Sequence, residues 1–136
     1  MTRRQMREIL MQLIFQMEAQ KNLTADDIEN YITEKIADQP NKKYAKDLTE
    51  KLCENLDLID AAINRNALKW TTARMNKIDL VIARLAATEI FYKKETPDAV
   101  AANEAVELAK KFGTEKSGKF INGLLGGLIK EKNYVQ

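Results

Sequence analysis

The sequence contains no histidine and only one cysteine, Cys53. Without imidazole, the usual general base of nucleophilic enzymes and a common zinc ligand are missing. A single cysteine cannot form an internal disulfide or a thiolate cluster. These absences point away from a metal site, a bound cofactor and catalysis, so we expect a protein that is not an enzyme. We expect Cys53 to be a small packing residue, buried beside the apolar stripe of a helix.

Proline and glycine are also scarce, with two and five residues among 136. Alanine, leucine, isoleucine, glutamate and lysine are common, and this composition favours helices. No apolar run is long enough to span a bilayer, and the first residues lack the apolar stretch of a signal peptide. We therefore expect a cytoplasmic protein with no membrane role, folded as a single domain over residues 1–136.

Positive charge is concentrated at the two ends of the chain. Residues 1–10 hold three arginines against one glutamate, and residues 110–132 hold six lysines against two glutamates. The intervening residues 11–109 are net acidic. If the fold brings the two ends together, they form one positive surface that attracts phosphate and releases counterions. The charge distribution therefore indicates a nucleic acid as a partner.

Apolar residues recur at helical spacing along most of the chain, and no strand pattern of period two stands out. Thr2 and Thr24 are placed as N-caps of the first two helices. The turn from Asp38 to Asn41 is placed to close the second helix. Gly113 is placed as the C′ glycine of a later helix, where a left-handed backbone is common.

Longer stripes predict the architecture. The stripe from Tyr44 to Ile63 predicts one extended helix or two helices end to end. The nearly all-apolar segment from Met75 to Phe91 predicts a helix that is buried on most sides. The stretch 64–72 is interpreted as a connection between two halves, about 1–66 and 67–136. The prediction is an all-α bundle of six or seven helices, arranged as two packed helical halves.

Residues 113–119 match the pattern G-x-x-x-x-G-K of a P-loop. A P-loop needs a Ser or Thr next, whose hydroxyl holds Mg²⁺, and a strand that leads into it. Here Phe120 follows and an amphipathic helix leads in. We therefore favour an anion site at a helix start over a nucleotide-dependent enzyme. Gly118 would permit close approach of the anion, and Lys116 and Lys119 would add charge.

Arg3, Arg4 and Arg7 have an unfavourable place in the first turns of a helix, because they oppose its dipole. They are either a solvated helix end or an RNA-binding cluster, since an anionic partner would reverse the sign of that effect. Phe112 and Phe120 likewise have two interpretations. They are either stacking faces for unpaired bases or core residues.

Asp79 is a charge inside an otherwise apolar segment. One interpretation is an intrahelical salt bridge, although Arg74 and Arg84 are each five residues away and therefore poorly placed. The other is an exposed contact for a partner protein. Glu104 and Glu107 lie three apart on one helix, and with no nucleophile or metal spacing nearby they look structural.

Taken in order, these residues resemble the NusB family over essentially the whole chain. The matching segments are the opening helix with Arg3-Arg4-x-x-Arg7-Glu8, the central helix from Arg74 to Ile90, Pro97, the stretch from Asn103 to Gly113, and Ser117-x-Lys119-Phe120-Ile121-Asn122-Gly123. Thr88 and Ala102 depart from the pattern, which commonly has an aromatic residue and a larger aliphatic residue there. We attribute both departures to local changes in core packing.

The resemblance implies a function that spacing cannot show. NusB-like proteins pair with NusE, a ribosomal protein, and the pair binds the boxA element of nascent RNA. The transcription elongation complex then passes premature terminators, notably in ribosomal RNA operons. By position, the resemblance assigns Asp79 to the NusE contact. It assigns the following residues to RNA binding: Arg3, Arg4, Arg7, Phe112, Lys116, Ser117, Lys119 and Phe120.

Two questions stay open at this point. Proteins of this family occur as monomers and as dimers, so a homodimer is not decided. A helical protein–protein interaction module without nucleic-acid binding is the alternative function. If the RNA surface is assigned correctly, we expect Arg7→Ala and Lys119→Ala to lower RNA affinity without lowering the melting temperature.

Overall fold

The computed structural model describes residues 1–68 and 71–135. Over these ranges the chain forms seven α-helices and no strand: α1 (Arg3–Gln20), α2 (Ala25–Lys35), α3 (Gln39–Glu54), α4 (Leu56–Asn66), α5 (Lys77–Tyr92), α6 (Asp98–Phe112) and α7 (Ser117–Val135). The predicted all-α bundle of six or seven helices is confirmed. Lys69 and Trp70, which belong to the predicted connection, lie outside the described residues. None of the helices described is long and apolar enough to cross a membrane.

Side-chain caps determine where the first three helices begin. The Thr2 hydroxyl accepts a hydrogen bond from the backbone N–H of Gln5, whose side chain accepts one from the N–H of Thr2. Thr24 and Asp27 form the same capping box at the start of α2. The two predicted N-caps are therefore confirmed. Asp38 caps α3, so the segment predicted to close the second helix also begins the third.

The long apolar stripe from Tyr44 to Ile63 forms two helices end to end, which is one of the two predicted outcomes. Asn55 lies between them with φ −123°, and its side chain donates a hydrogen bond to the carbonyl oxygen of Lys51 at 2.9 Å. Its side chain does not cap α4. Because Asn55 ends α3 in this way, the helix is interrupted although the apolar spacing continues.

Helix α5 is the centre of the core. Every residue from Asp79 to Ile90 is buried, and α5 contacts α1, α3, α4, α6 and α7. A helix with neighbours on so many sides must be apolar over most of its surface, as the sequence predicted. Buried side chains from all seven helices form one continuous hydrophobic cluster around it.

Two polar side chains of α5 have specific partners. Arg84 donates from Nε and Nη2 to the two carboxylate oxygens of Asp60, at 2.9 and 2.8 Å, and from Nη1 to Glu18 at 2.7 Å. The fully buried Thr88 donates to the carbonyl oxygen of Arg84 at 2.6 Å. A hydroxyl bonded to its own helix needs no other partner, which explains how the polar Thr88 is accommodated inside the apolar core.

Two expectations about single residues are wrong. Cys53 is exposed rather than buried, because it follows the buried Leu52 on α3 and lies beyond the edge of the apolar stripe. Gly113 ends α6 with φ −91°, which is not a left-handed conformation. Glycine is needed there for space, since a Cβ would lie 2.4 Å from the Ser117 Oγ and 2.8 Å from the Ala109 carbonyl oxygen.

Candidate nucleic-acid interface

Arg3, the first arginine of α1, stacks on an aromatic ring of the protein. Its guanidinium carbon lies 4.0 Å from the centroid of the Tyr44 ring, and the Lys93 ammonium lies 4.4 Å from the same centroid. Burial raises the pKa of Tyr44 to about 12. The Nη1 of Arg3 is buried and has no hydrogen-bond partner in the described part of the chain. Arg3 is therefore held in place by cation–π contact and is not a freely solvated side chain.

Arg4 is the most exposed of the three arginines, with 62% of its side chain accessible. Its Nε and Nη2 donate to the two carboxylate oxygens of Glu104 on α6, at 2.8 and 3.1 Å. The hydrogen bond from Arg4 lowers the pKa of the Glu104 carboxyl. Glu104, which looked only structural in the sequence, therefore belongs to this surface.

Arg7 is buried, which does not fit the exposed phosphate contact expected of it. Only 5% of its side chain is exposed, and its Nε and Nη2 donate to the carboxylate of Glu89 on α5 at 2.8 and 3.0 Å. Burial alone would lower the pKa of Arg7, but the Glu89 carboxylate outweighs it and the pKa is raised. Arg7→Ala is therefore no longer expected to leave the melting temperature unchanged, because it would leave Glu89 buried without a partner.

A cavity of about 210 Å³ lies between α1 and α6 beside these arginines. Arg4, Glu8, Glu104 and Lys111 are among its lining residues. The Lys111 ammonium lies 2.6 Å from Glu8 and 5.2 Å from the centroid of the Phe112 ring. Phe112 is half-buried and packs against the core. Lys111, which the sequence did not single out, therefore connects the end of α6 to the basic end of α1.

Lys116 and Lys119 are exposed at the beginning of α7. Arg4 and Lys111 are each paired with a glutamate, whereas neither Lys116 nor Lys119 forms an ion pair with a described residue. Their charge is therefore not compensated locally. Uncompensated exposed cations attract phosphate most strongly, so these two lysines have the electrostatics expected of RNA contacts.

Ser117 is 1% exposed, so it does not fit the direct RNA contact expected of it. Its Oγ accepts a hydrogen bond from the Thr114 N–H at 2.9 Å, and it therefore fixes the turn between α6 and α7. Gly118 does allow a close approach to its backbone, but the group that approaches is a side chain of the protein and not an anion. A Cβ at this position would lie 3.1 Å from the Cγ of Lys110, so the side chain of Lys110 occupies the space proposed for an anion.

Residues 113–119 lack the features of a nucleotide site. Helix α6, and not a strand, leads into the segment, and Phe120 stands where a P-loop needs the hydroxyl that holds Mg²⁺. In the part of the chain that the structure describes, no group of three or more Cys, Asp or Glu side chains is placed to hold a metal ion.

Phe120 and Lys116 line a second cavity, of about 270 Å³, together with Arg74, Asn76 and Asp79. Asp79 is 7% exposed, its N–H donates to the Asn76 Oδ1 at 2.8 Å, and its Oδ2 accepts from the Asn76 Nδ2 at 3.1 Å. Its Oδ1 is buried and has no partner among the described residues. Asp79 is therefore a buried residue in the first turn of α5 that is bonded to Asn76, the N-cap of this helix. Neither the intrahelical salt bridge nor the exposed contact considered from the sequence describes it.

Four of the residues expected to bind RNA line the two cavities. Arg4 and Arg7 line the first, and Lys116 and Phe120 line the second. Lys111 of the first cavity lies over the ring of Phe112. The turn from α6 to α7 connects the two cavities. The sequence could not reveal which cations are compensated, because the glutamate partners of Arg4 and Lys111 are 100 or more residues away along the chain.

Comparison with known proteins gives a consistent result along the whole chain. The model of the NusB family matches residues 4–130. The transcription antitermination protein NusB of Clostridium acetobutylicum is 40% identical over 95% of this chain and 96% of its own length. The solved structure of T. maritima NusB has a TM-score of 0.86 and 32% identity, with 100% of this chain and 99% of that chain covered.

A second solved structure shares the fold at lower identity. It contains the antitermination factors NusB and NusE in complex with double-stranded RNA, and its matching chain has a TM-score of 0.83 and 23% identity. The match covers 95% of this chain and 96% of that chain.

Proposed function

The chain belongs to the NusB family, and from this premise we propose that it is a transcription antitermination factor that binds boxA-type RNA together with the ribosomal protein NusE. Its relatives carry the name of transcription antitermination proteins, and a solved relative is bound to NusE and RNA. In this role the protein joins the transcription elongation complex and promotes transcription of ribosomal RNA operons. The proposal also places the protein in the cytoplasm and assigns it no catalytic activity.

The observation that best supports RNA binding is the exposed pair Lys116 and Lys119 at the start of α7. Both are free of ion pairs with described residues. The half-buried Phe120 follows Lys119 on α7 and lines one cavity together with Lys116. Lysines next to an aromatic face suit an unpaired nucleotide, because the cations bind its phosphate and the ring can stack on its base.

We assign the remaining residues of the surface according to their contacts. Arg3 and Arg4 are the cations of α1 that contact phosphate, and Phe112 is a second aromatic face beside Lys111. Arg7 and Ser117, which are buried, support this surface from below without touching RNA.

The contact with NusE is proposed for the cavity beside Asp79. The resemblance assigns Asp79 to the contact with NusE. Its Oδ1 has no hydrogen-bond partner among the described residues, so it can accept a hydrogen bond from a donor of NusE. Because Asp79 is only 7% exposed, the partner would have to reach it through the cavity and could not contact it on a flat surface.

The test is a binding titration of labelled boxA-type RNA and of a scrambled RNA, with and without NusE. We expect weak binding of boxA by the protein alone, tighter binding with NusE, and clearly weaker binding of the scrambled sequence. If RNA fails to bind even with NusE, while Asp79→Lys still disrupts the protein pair, the chain is a helical interaction module without a nucleic-acid role.

A further inference from the structure

Three arginines of this protein donate the same pair of nitrogens to a carboxylate. Arg4 donates its Nε and Nη2 to Glu104, Arg7 to Glu89, and Arg84 to Asp60. Such a fork holds the guanidinium plane in one orientation, because two parallel hydrogen bonds restrict its rotation.

Arg84 shows what the remaining nitrogen of such an arginine can do. Its Nε and Nη2 are held by Asp60, and its Nη1 donates to a second carboxylate, that of Glu18, at 2.7 Å. One guanidinium thus binds two anions at once, one on each edge. Asp60 orients the guanidinium, and Glu18 binds the nitrogen that Asp60 does not contact.

Arg4 has only the first of these two anions. Glu104 holds its Nε and Nη2, and its Nη1 has no hydrogen-bond partner among residues 1–68 and 71–135. The Arg4 side chain is 62% exposed, whereas that of Glu104 is 19% exposed. The carboxylate is therefore the more sheltered partner, and the arginine faces solvent with one edge free.

We propose that Glu104 is a positioning residue of the RNA surface, which holds the Nε and Nη2 of Arg4 so that its Nη1 is ready to bind a phosphate oxygen. This inference rests on the proposed function, because it takes RNA as the second anion. Without Glu104, the long Arg4 side chain would sample many rotamers, and the cost of ordering it would outweigh a single phosphate contact, so that contact would be lost. One turn further along α1, the buried Arg7 is paired with Glu89 of α5 and so holds α1 against the core.

If Glu104 positions Arg4, removing the Glu104 charge changes RNA affinity in the direction opposite to that expected from net charge alone. Removing a glutamate from a surface that binds a polyanion raises affinity by simple electrostatics. If Glu104 positions Arg4, removing its charge lowers affinity instead. Glu107 is the matched control: it lies one turn further along α6, is 54% exposed, and among the described residues forms its one ion pair with Lys110, at 3.7 Å.

The experiment measures boxA RNA affinity in the presence of NusE for Glu104→Gln, Glu104→Ala, Arg4→Gln, the Arg4→Gln/Glu104→Gln double variant, and Glu107→Gln. We expect each single change at Glu104 or Arg4 to weaken binding about threefold, the effect of one exposed ion pair. The double variant should bind no more weakly than Arg4→Gln. Glu107→Gln should bind as well as the unchanged protein or slightly better. Thermal melting of each variant confirms that it is folded.

The salt dependence of affinity separates positioning from a merely structural role. Loss of one phosphate contact reduces the slope of log affinity against log salt by about one, and we expect this reduction for both Glu104→Gln and Arg4→Gln. Tighter binding by Glu104→Gln would overturn the proposal and make Glu104 a competitor of the RNA. Unchanged binding by Arg4→Gln would also overturn it, while RNA binding itself would still support the proposed function. Failure of the unchanged protein to bind boxA RNA would overturn both.

Discussion

Arg4 and Arg7 lie one turn apart on α1, and each donates two hydrogen bonds to a glutamate, yet 62% of one side chain is exposed and only 5% of the other. Residue type alone predicts the same exposure for both, because both are cations near a helix start. Spacing does distinguish them. Arg7 precedes Leu10 by three residues, Met11 by four and Ile14 by seven, so it lies on the buried stripe of α1.

Arg7→Ala should therefore destabilise the protein. The Glu89 side chain is 1% exposed, so the substitution would leave its carboxylate buried without a partner. We expect a loss of about 3–5 kcal/mol in the free energy of unfolding. Chemical denaturation measures this loss. Arg4→Ala is the control and should change stability little, because its ion pair is exposed. An Arg7→Ala protein of unchanged stability with weakened RNA binding would contradict this role.

The individual helices were largely predictable from periodicity and capping residues. The stripes of α1 and α5 and the threonine caps of α1 and α2 gave these helices directly. The break between α3 and α4 was less predictable, because it depends on a side-chain bond from Asn55 to Lys51, and the apolar spacing continues across it. The conformation of Gly113 was predicted wrongly, since glycine is required there by the close approach of Ser117 in the turn from α6 to α7 and not by a left-handed backbone.

The turn between α6 and α7 should tolerate no side chain at Gly113. Gly113→Ala would place a Cβ against Ser117 and Ala109, and we expect a cost of about 1–3 kcal/mol, as in an overpacked core. Gly123→Ala is the matched control in α7, where a Cβ meets nothing within 4 Å, and it should stabilise the protein by about 0.5–1 kcal/mol through helix propensity. Urea denaturation measures the free energy of unfolding of both variants. Equal changes in that free energy for Gly113→Ala and Gly123→Ala would refute the steric explanation.

At the scale of the whole molecule, the charge partition predicts one positive surface built from both ends of the chain. The fold brings Glu8 of α1 to Lys111 of α6 and Arg4 to Glu104. The sequence could not show that acidic partners compensate much of this charge. The division into two halves, about 1–66 and 67–136, stays a prediction.

An exposed cation that forms no ion pair with a described residue therefore indicates the RNA surface where it also lies beside an aromatic residue at the turn from α6 to α7. By this criterion Lys119 is the most informative single position, because it is exposed at the start of α7 and has no ion pair with a described residue. Lys130 is its control on the same helix. It is also exposed and forms no ion pair with a described residue, but it lies eleven residues further along α7, away from that turn.

The most direct test of the account is the salt dependence of boxA RNA affinity, measured with NusE present for the unchanged protein, Lys119→Ala and Lys130→Ala. We expect affinity to fall steeply as salt rises, Lys119→Ala to bind more weakly with a slope reduced by about one, and Lys130→Ala to match the unchanged protein. Melting temperatures should be the same for all three. Equal affinities and slopes for Lys119→Ala and the unchanged protein would contradict an RNA surface at the start of α7.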